Sequence, residues 1–187
     1  TSSTDGSGEA QGIGLFELPA DAAGVTVTRV PVMDPTRTLS RVEFDGATAT
    51  PIATRASFLS RLRAAAWAAI SAEQVGAARA VLDATVQYTQ ERKQFGRVIG
   101  SFQALKHRMA DMYVKTETAR SLSYSAAALV AEALGTNDEE GSDEQAYAAE
   151  IEAAAAKVFC SEALQWITGE AIQLHGGGGM SDDFPLA

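Results

Sequence analysis

The chain has 187 residues, of which 46% are apolar, and its formal net charge is −9 at pH 7. This length allows one substantial core, or one domain with part of another, and no stretch approaches the roughly 20 apolar residues that span a bilayer. A membrane role is therefore not expected, and the negative charge argues against nucleic acid as the main partner.

The cysteine and histidine content argues against two further kinds of site. Cys160 is the only cysteine, so no internal disulfide can form, and its place in an apolar helical pattern predicts a buried thiol. The only histidines are His107 and His175, so no metal site is expected. The first ten residues lack the features of a secretory leader, and we expect a cytoplasmic protein.

The first fifty residues predict short strands. After a polar stretch at 1–10, interpreted as a flexible loop, residues 12–19 and 25–30 favour strands, and 41–45 alternates polar and apolar residues as a half-buried strand does. Three strands with open edges make a poor independent domain. We therefore expect an incomplete antiparallel β domain whose other strands come from sequence outside this chain.

Three long helices are predicted after it, at about 57–92, 102–134 and 143–175, because these stretches lack proline and are rich in helix-forming residues. The acidic loop between the last two, with Asp138, Glu139 and Glu140, is interpreted as solvated surface. Apolar spacings of three and four predict a buried face on each helix. The predicted core residues are Val75, Ala78, Leu82, Thr85 and Val86; Phe102, Leu105, Met109, Met112, Thr116 and Ala119; and Ile151, Ala155, Val158, Phe159, Ala163, Trp166 and Ile167.

Positive charge is concentrated between the first two helices, where residues 92–108 contain no Asp or Glu. Gly96 and Gly100 allow turns, and Ser101 can cap the next helix with its hydroxyl. One interpretation is an anion site at a helix N-terminus; the other is favourable cations at the negative end of a helix that the glycines terminate. The cations are Arg92, Lys93, Arg97, Lys106 and Arg108.

The glycines at 176–179 likewise allow two interpretations. They can simply terminate the third helix as a flexible joint. Alternatively, their bare backbone amides can approach a phosphate or an adenine closely.

Two ordered motifs give a family resemblance. Residues 88–103 contain Tyr-x-x-Glu-Arg-x-Gln-Phe-Gly-x-x-Ile-x-x-Phe-Gln, followed by Met-Ala-Asp-Met at 109–112, and residues 173–180 read Gln-Leu-His-Gly-Gly-Gly-Gly-Met, with Phe-Pro at 184–185. Both resemble the acyl-CoA dehydrogenase family. The resemblance implies a mainly α chain with a small β part: the end of the middle β domain at 1–52, then the C-terminal helical bundle at 53–187, truncated before its last helix.

The resemblance also implies FAD as the cofactor. The chain has no G-x-G-x-x-G fingerprint between a strand and a helix, so binding would depend on an oligomer, at least a dimer and commonly a tetramer. Arg92 would contact the pyrophosphate beside Gln94 and Phe95. Ile99, Phe102 and Gln103 would line the adenosine, while Gln173, Gly176 and Gly177 would approach the same dinucleotide from a neighbouring subunit.

The implied reaction removes a proton beside an acyl thioester carbonyl and passes a hydride to the flavin, so it needs a carboxylate base. Most relatives carry that glutamate beyond the position of Ala187, and a minority carry it on the first bundle helix, where this chain has Ala66 followed by Trp67. Neither side chain can accept the proton. Other nearby acids are not expected to replace it, so the base is unidentified. These acids are Glu73, Asp83, Asp182 and Asp183.

The pattern, with the stretch 33–46, is similar in particular to actinobacterial heteromeric acyl-CoA dehydrogenases that act on steroid side-chain thioesters. This similarity implies an acyl-CoA substrate and electron-transferring flavoprotein as the electron acceptor. It also implies a tetramer, either of identical chains or with a different acyl-CoA dehydrogenase chain as the partner. Two alternatives stay open: a catalytically silent partner that cradles FAD, and a related flavin oxidase or monooxygenase.

Overall fold

The structure, a computed structural model, describes residues 2–4, 10–33, 36–53, 56–135 and 142–181. The chain divides into two compact units, Thr1–Leu59 and Ser60–Ala187. The acidic run 138–140, the two carboxylates at 182–183, and Asp34 within the stretch 33–46 lie outside the described residues.

The first unit contains three antiparallel strand pairs among its described residues: β1 with β2, β3 with β6, and β4 with β5. Two predictions were wrong here: the expected loop at 1–10 contains β1, and the expected strand at 12–19 is interrupted at Gly14. The sixth strand was missed because it contains Pro51, which lacks the donor that most strand positions use. The strands are Ser2–Thr4, Ala10–Ile13, Leu15–Glu17, Val25–Val30, Leu39–Phe44 and Thr50–Ala53.

The described residues of the second unit form three α-helices: α1 (Ala56–Glu91), which begins in the last residues of the first unit, α2 (Gln103–Gly135) and α3 (Ser142–His175). Each begins and ends within one residue of its predicted bounds. α1 has 36 residues, which corresponds to a length of about 54 Å. The prediction of a mainly α chain with a small antiparallel β part is confirmed.

Small side chains dominate the core, which contains two clusters. The Met112 cluster consists of Ala78, Leu82, Met112, Ala119, Cys160, Ala163, Ile167, Ala171 and Leu174. The Val130 cluster consists of Ala64, Ala68, Ala126, Val130, Ala133, Ala149, Ala153 and Ala156. Because alanine lets helix backbones approach closely, the helices pack with little side-chain volume between them.

The predicted buried face of α3 was partly wrong. Ile151 and Val158 are 71% and 55% exposed, and Ala155 is exposed as well. The first half of α3 instead packs through Ala153 and Ala156, which are fully buried. In this half of α3 these alanines face the neighbouring helices, and the larger side chains face outward.

Cys160 is buried, as predicted, and its Sγ lies 3.5 Å from the carbonyl oxygen of Ala119. Burial raises the pKa of this thiol, although a hydrogen bond with Ser71 acts in the opposite direction. The cysteine is therefore a structural residue that stays protonated at neutral pH.

An ion pair links α1 to α3 beside the Val130 cluster. Arg63 Nε lies 2.6 Å from Glu150 Oε1, and the Glu150 side chain is 15% exposed. Burial of Glu150 opposes its ionisation, but contacts from Ser60 and Arg63 and the positive charge of Arg63 outweigh that effect and lower its pKa. A folded-state pKa below the unfolded value stabilises the fold above the unfolded pKa, and this contribution disappears as the pH falls through the folded pKa.

We expect Glu150→Gln to lower the free energy of unfolding at pH 7 by at most about 1 kcal/mol, because a partly solvated pair is screened. The difference from wild type should shrink as the pH falls below the ordinary range of a glutamate and through the lowered pKa of the folded-state Glu150 carboxylate. Urea unfolding across this pH range measures the difference in the free energy of unfolding. The control is Glu162→Gln, because Glu162 is exposed. A loss that is the same at pH 7 and at the acid end would contradict the assignment.

Candidate functional site

A short hairpin follows α1 directly. β7 (Lys93–Gln94) and β8 (Arg97–Val98) pair antiparallel, and the turn residues Phe95 and Gly96 have φ angles of 57° and 80°. Two successive left-handed residues form the kind of tight turn that matches the twist of a hairpin. All residues from 92 to 97 are exposed, so the hairpin presents its side chains to solvent.

The hairpin carries an aromatic residue in an unfavourable position. Phe95 is 91% exposed and left-handed, a conformation that side chains other than glycine rarely adopt. Its ring meets the Phe102 ring edge-on, with centroids 6.2 Å apart. The Arg97 guanidinium lies 4.0 Å from the centroid of the Phe102 ring. Two flat rings and a cation thus form one exposed surface.

A 3-10 turn, Ile99–Ser101, connects the hairpin to α2. It lies so close to α1 that a Cβ on Gly100 would stand 2.9 Å from the carbonyl oxygen of Thr89. The expectation that Ser101 caps α2 was wrong, because its hydroxyl donates backwards to the carbonyl of Val98 at 2.7 Å. The inserted turn leaves Ser101 two residues before Gln103, the first residue of α2, so Phe102 occupies the position directly before the helix.

The glycine-rich segment after α3 forms a single 3-10 turn, Gly176–Met180, and confirms that the helix ends at His175. Gly176 is left-handed, with a φ of 61°. Gly179 is buried against Ile172, whereas a Cβ on Gly177 would meet nothing within 4 Å. Gly176 and Gly177 are exposed, as is Gln173.

The two segments adjoin at one end of the bundle. The ring of Tyr88, in the last turn of α1, stacks on the ring of His175 with centroids 4.2 Å apart. The Tyr88 hydroxyl also donates to the carbonyl oxygen of His175 at 3.3 Å. One chain therefore holds both segments side by side. That the glycine turn reaches a dinucleotide from a neighbouring subunit stays a prediction.

The positive charge at this end is only partly neutralised. Arg108 forms an ion pair with Glu170 of α3 at 3.1 Å, so its charge is compensated within the bundle. Arg92, Lys93 and Arg97 are exposed, and the salt bridges between described side chains do not include them. These three cations, with the exposed Lys106, are therefore the charges of the stretch that no ion pair between described side chains compensates.

These features fit a dinucleotide. Its pyrophosphate needs cations and backbone donors, which Arg92 and the open backbone at Gly177 can supply. Its flat rings need aromatic surface, which Phe95 and Phe102 present. An exposed aromatic held in strained backbone is also a feature of binding sites rather than of plain turns.

Residues 58–187 match the family described as "Acyl-CoA dehydrogenase, C-terminal domain". The chain belongs to the acyl-CoA dehydrogenase family. The resemblance that the two motifs indicated is thus confirmed, and the bundle is the family's C-terminal domain.

Named relatives refine this placement. Acyl-CoA dehydrogenase IpdE2 of Mycolicibacterium smegmatis is 44% identical over 152 residues, which cover 79% of this chain and 40% of that protein. The solved Tcur3481-Tcur3483 steroid ACAD, a G363A variant, has a TM-score of 0.78 and 29% identity over 92% of this chain and 44% of its own. PigA, solved with FAD and proline, has a TM-score of 0.77 and 25% identity, covering 91% and 43%. The chain spans less than half the length of these relatives.

The structure groups the sequence-predicted site residues at one end of the acyl-CoA dehydrogenase bundle. The six predicted between 92 and 103 lie along the hairpin, its 3-10 turn and the residues that join them to α1 and α2. Gln173 lies in the last turn of α3, and Gly176 and Gly177 lie in the glycine turn that follows it. Their roles toward a cofactor stay predictions. Tyr88 and His175 lie within the quoted motifs, but their contact spans 87 residues, and no sequence signal indicated it.

No base replaces the missing glutamate at the alternative position of α1. Ala66 is exposed there, and Trp67 packs partly buried against the Val130 cluster. Asp83 is exposed and pairs with Arg79 at 2.9 Å, and Glu73 is exposed too, as predicted for solvated acids.

Two other features are absent from the described ranges. Among those residues, no group of three or more His, Cys, Asp or Glu could hold a metal ion. No helix in the same part of the chain is long and apolar enough to cross a bilayer.

Proposed function

We propose that the full-length protein is an FAD-dependent acyl-CoA dehydrogenase subunit that takes part in the α,β-desaturation of an acyl-CoA thioester. The observation that carries the proposal is the pairing of a cationic, aromatic hairpin with an open glycine turn at one end of this family's bundle. The family and its FAD-bound relative indicate FAD as the cofactor. Residues 1–52 would be the end of the middle β domain, and 53–187 the C-terminal bundle.

The chain's own residues would bind and orient the cofactor. Arg92 would neutralise the pyrophosphate, and the exposed backbone of Gly176 and Gly177 would let it approach closely. Phe95 and Phe102 would offer flat apolar surface beside it. Gln94, Ile99, Gln103 and Gln173 would complete the contacts. When bound, FAD supplies the hydride acceptor that no amino-acid side chain can provide.

A heteromeric steroid type is the finer proposal. The steroid ACAD among the solved relatives carries a paired name, Tcur3481-Tcur3483, which favours a second, different chain. Ala66 supports a specific version: a partner subunit that cradles FAD while its sister supplies the base. The substrate would then be a bulky acyl-CoA of the steroid side-chain class, and the acceptor would be electron-transferring flavoprotein.

Native mass measurement on the full-length protein from its own host, with flavin retained, tests these proposals together with anaerobic titration by acyl-CoA. A mixed assembly with half as many flavins as chains supports the partner subunit, and a homotetramer with one FAD per chain supports an ordinary dehydrogenase. Either assembly should lose its oxidised flavin absorbance with a suitable acyl-CoA. A flavin-free monomer would refute both the partner-subunit proposal and the ordinary-dehydrogenase proposal. Oxygen consumption without an electron-transfer partner would favour an oxidase or monooxygenase.

A further inference from the structure

The contact between Tyr88 and His175 joins two segments that are otherwise anchored separately. A Cβ on Gly100 would meet Thr89, so the 3-10 turn before α2 is fixed to α1. A Cβ on Gly179 would meet Ile172 and His175, so the glycine turn is fixed to α3. Neither anchor sets the distance between the hairpin and the glycine turn.

Tyr88 is attached directly to the hairpin. Its carbonyl oxygen accepts a hydrogen bond from the Arg92 amide at 2.9 Å, and the Arg92 carbonyl in turn accepts from the Ile99 amide at 2.8 Å. A shift of the Tyr88 backbone therefore passes to Arg92, directly before the hairpin, and to Ile99, directly after it.

His175 is attached as directly to the glycine turn. It is the last residue of α3 and stands immediately before the left-handed Gly176. His175 is buried, with 4% of the residue exposed. Its Nδ1 lies 2.8 Å from the carbonyl oxygen of Ala171. The stack on Tyr88 and this polar contact hold the ring in one orientation.

We propose that Tyr88 and His175 form a positioning pair that holds the hairpin and the glycine turn at a fixed separation, so that one dinucleotide meets both. This inference rests on the proposed function, since the ligand is the FAD proposed above. Neither side chain needs to touch the cofactor. The pair acts by preorganisation: it removes the freedom that the two segments would otherwise lose on binding.

The test compares FAD dissociation constants of full-length apoproteins, measured by flavin fluorescence, with thermal stability recorded alongside. Tyr88→Leu removes both the stack and the hydrogen bond and should weaken FAD binding about tenfold. Tyr88→Phe keeps the ring and should weaken it threefold or less. The control is Tyr147→Leu, a half-exposed tyrosine that lies 28 residues before His175, at the other end of α3.

A double variant distinguishes a positioning role for the pair from a general loss of stability. Tyr88→Leu removes the stack and the hydrogen bond, whereas His175→Gln removes the stack and leaves the backbone carbonyl that accepts from Tyr88. His175→Gln should therefore weaken binding no more than Tyr88→Leu, and the double variant should be no worse than Tyr88→Leu alone, because the stack can be lost only once. Additive losses would overturn the proposal, as would lower thermal stability with an unchanged dissociation constant. If Tyr88→Leu does not fold, His175→Gln alone tests the stack: it should weaken FAD binding more than Tyr147→Leu does, and equal dissociation constants would overturn the proposal.

Amide hydrogen exchange in the apoprotein tests the positioning pair separately from the proposed function, because it needs no bound FAD. In the apoprotein, His175→Gln should speed exchange of the amides at 93–98, although these residues lie on a different segment. Unchanged exchange there would overturn the positioning pair even if FAD binds. Wild-type protein that binds no FAD, with exchange still coupled, would instead refute the proposed function and leave the link between the segments established.

Discussion

Arg92→Ala is expected to raise the dissociation constant of FAD by about 10- to 100-fold, the range for losing a charge-assisted contact to a phosphate. The fold should survive the change. The structural hydrogen bonds of Arg92 are made by its backbone: the amide donates to Tyr88, and the carbonyl accepts from Ile99. The Arg92 side chain is exposed. The substitution therefore removes a charge without removing a structural contact, and equal melting temperatures should confirm this.

The neighbouring Lys93→Ala is the matched control for charge. Lys93 is also exposed and stands next along the chain, but the resemblance gives it no contact with the pyrophosphate. Its loss should weaken FAD binding about threefold or less, through the general field, and this small effect should disappear at high salt. Equal losses from both variants would mean that the hairpin attracts anions without a defined contact.

Gly179→Ala is expected to lower the free energy of unfolding by about 1–3 kcal/mol, the usual range for forcing an atom into a filled space. Its Cβ would stand 2.7 Å from the carbonyl oxygen of Ile172 and 3.1 Å from the Cβ of His175. These are backbone and near-backbone atoms, which cannot swing aside as the end of a flexible side chain can. Urea unfolding of the two proteins measures the difference.

Gly177→Ala should behave in the opposite way. Nothing lies within 4 Å of its added Cβ, so stability should be unchanged or slightly increased. FAD binding should nevertheless weaken, because the methyl group would stand where the cofactor approaches. If Gly177→Ala binds FAD as wild type does, the exposed glycine is a plain helix terminator, which is the other interpretation that the sequence allowed.

The helices could be predicted closely because their signal is local. α1, α2 and α3 lack proline and are rich in alanine, and the residues that end them, such as Gly176, act on the nearest turn. The strands were harder, because short pairs such as β3 with β6 depend on partners more than thirty residues away. A pattern of alternating residues cannot indicate which partner a strand will find.

Inside the bundle, the buried positions of α3 were predicted wrongly because the larger apolar side chains were assigned to the core. Ile151 and Val158 are more hydrophobic than their neighbours, yet the buried positions went to Ala153 and Ala156. Which side chains fit between packed helices depends on how closely the helices approach, and that is a property of the whole bundle. Ser101 was misassigned for a related reason, since an unforeseen 3-10 turn changed which residue begins α2.

The site was predictable as a set of residues and not as an arrangement. The motifs indicated Arg92, Phe95 and Gly177 individually. The stacking of Arg97 on Phe102 and that of Tyr88 on His175 depend on how separate segments meet, which sequence spacing does not encode.

The composition of the two core clusters implies an order of local unfolding. The Val130 cluster holds seven alanines and one valine, whereas the Met112 cluster also buries the larger Leu82, Ile167 and Leu174. Larger side chains remove more apolar surface from water, so the Val130 end has the smaller local free energy of opening. Thermal fluctuations should fray the bundle from that end first and leave the hairpin and glycine turn, at the opposite end, as the last ordered part.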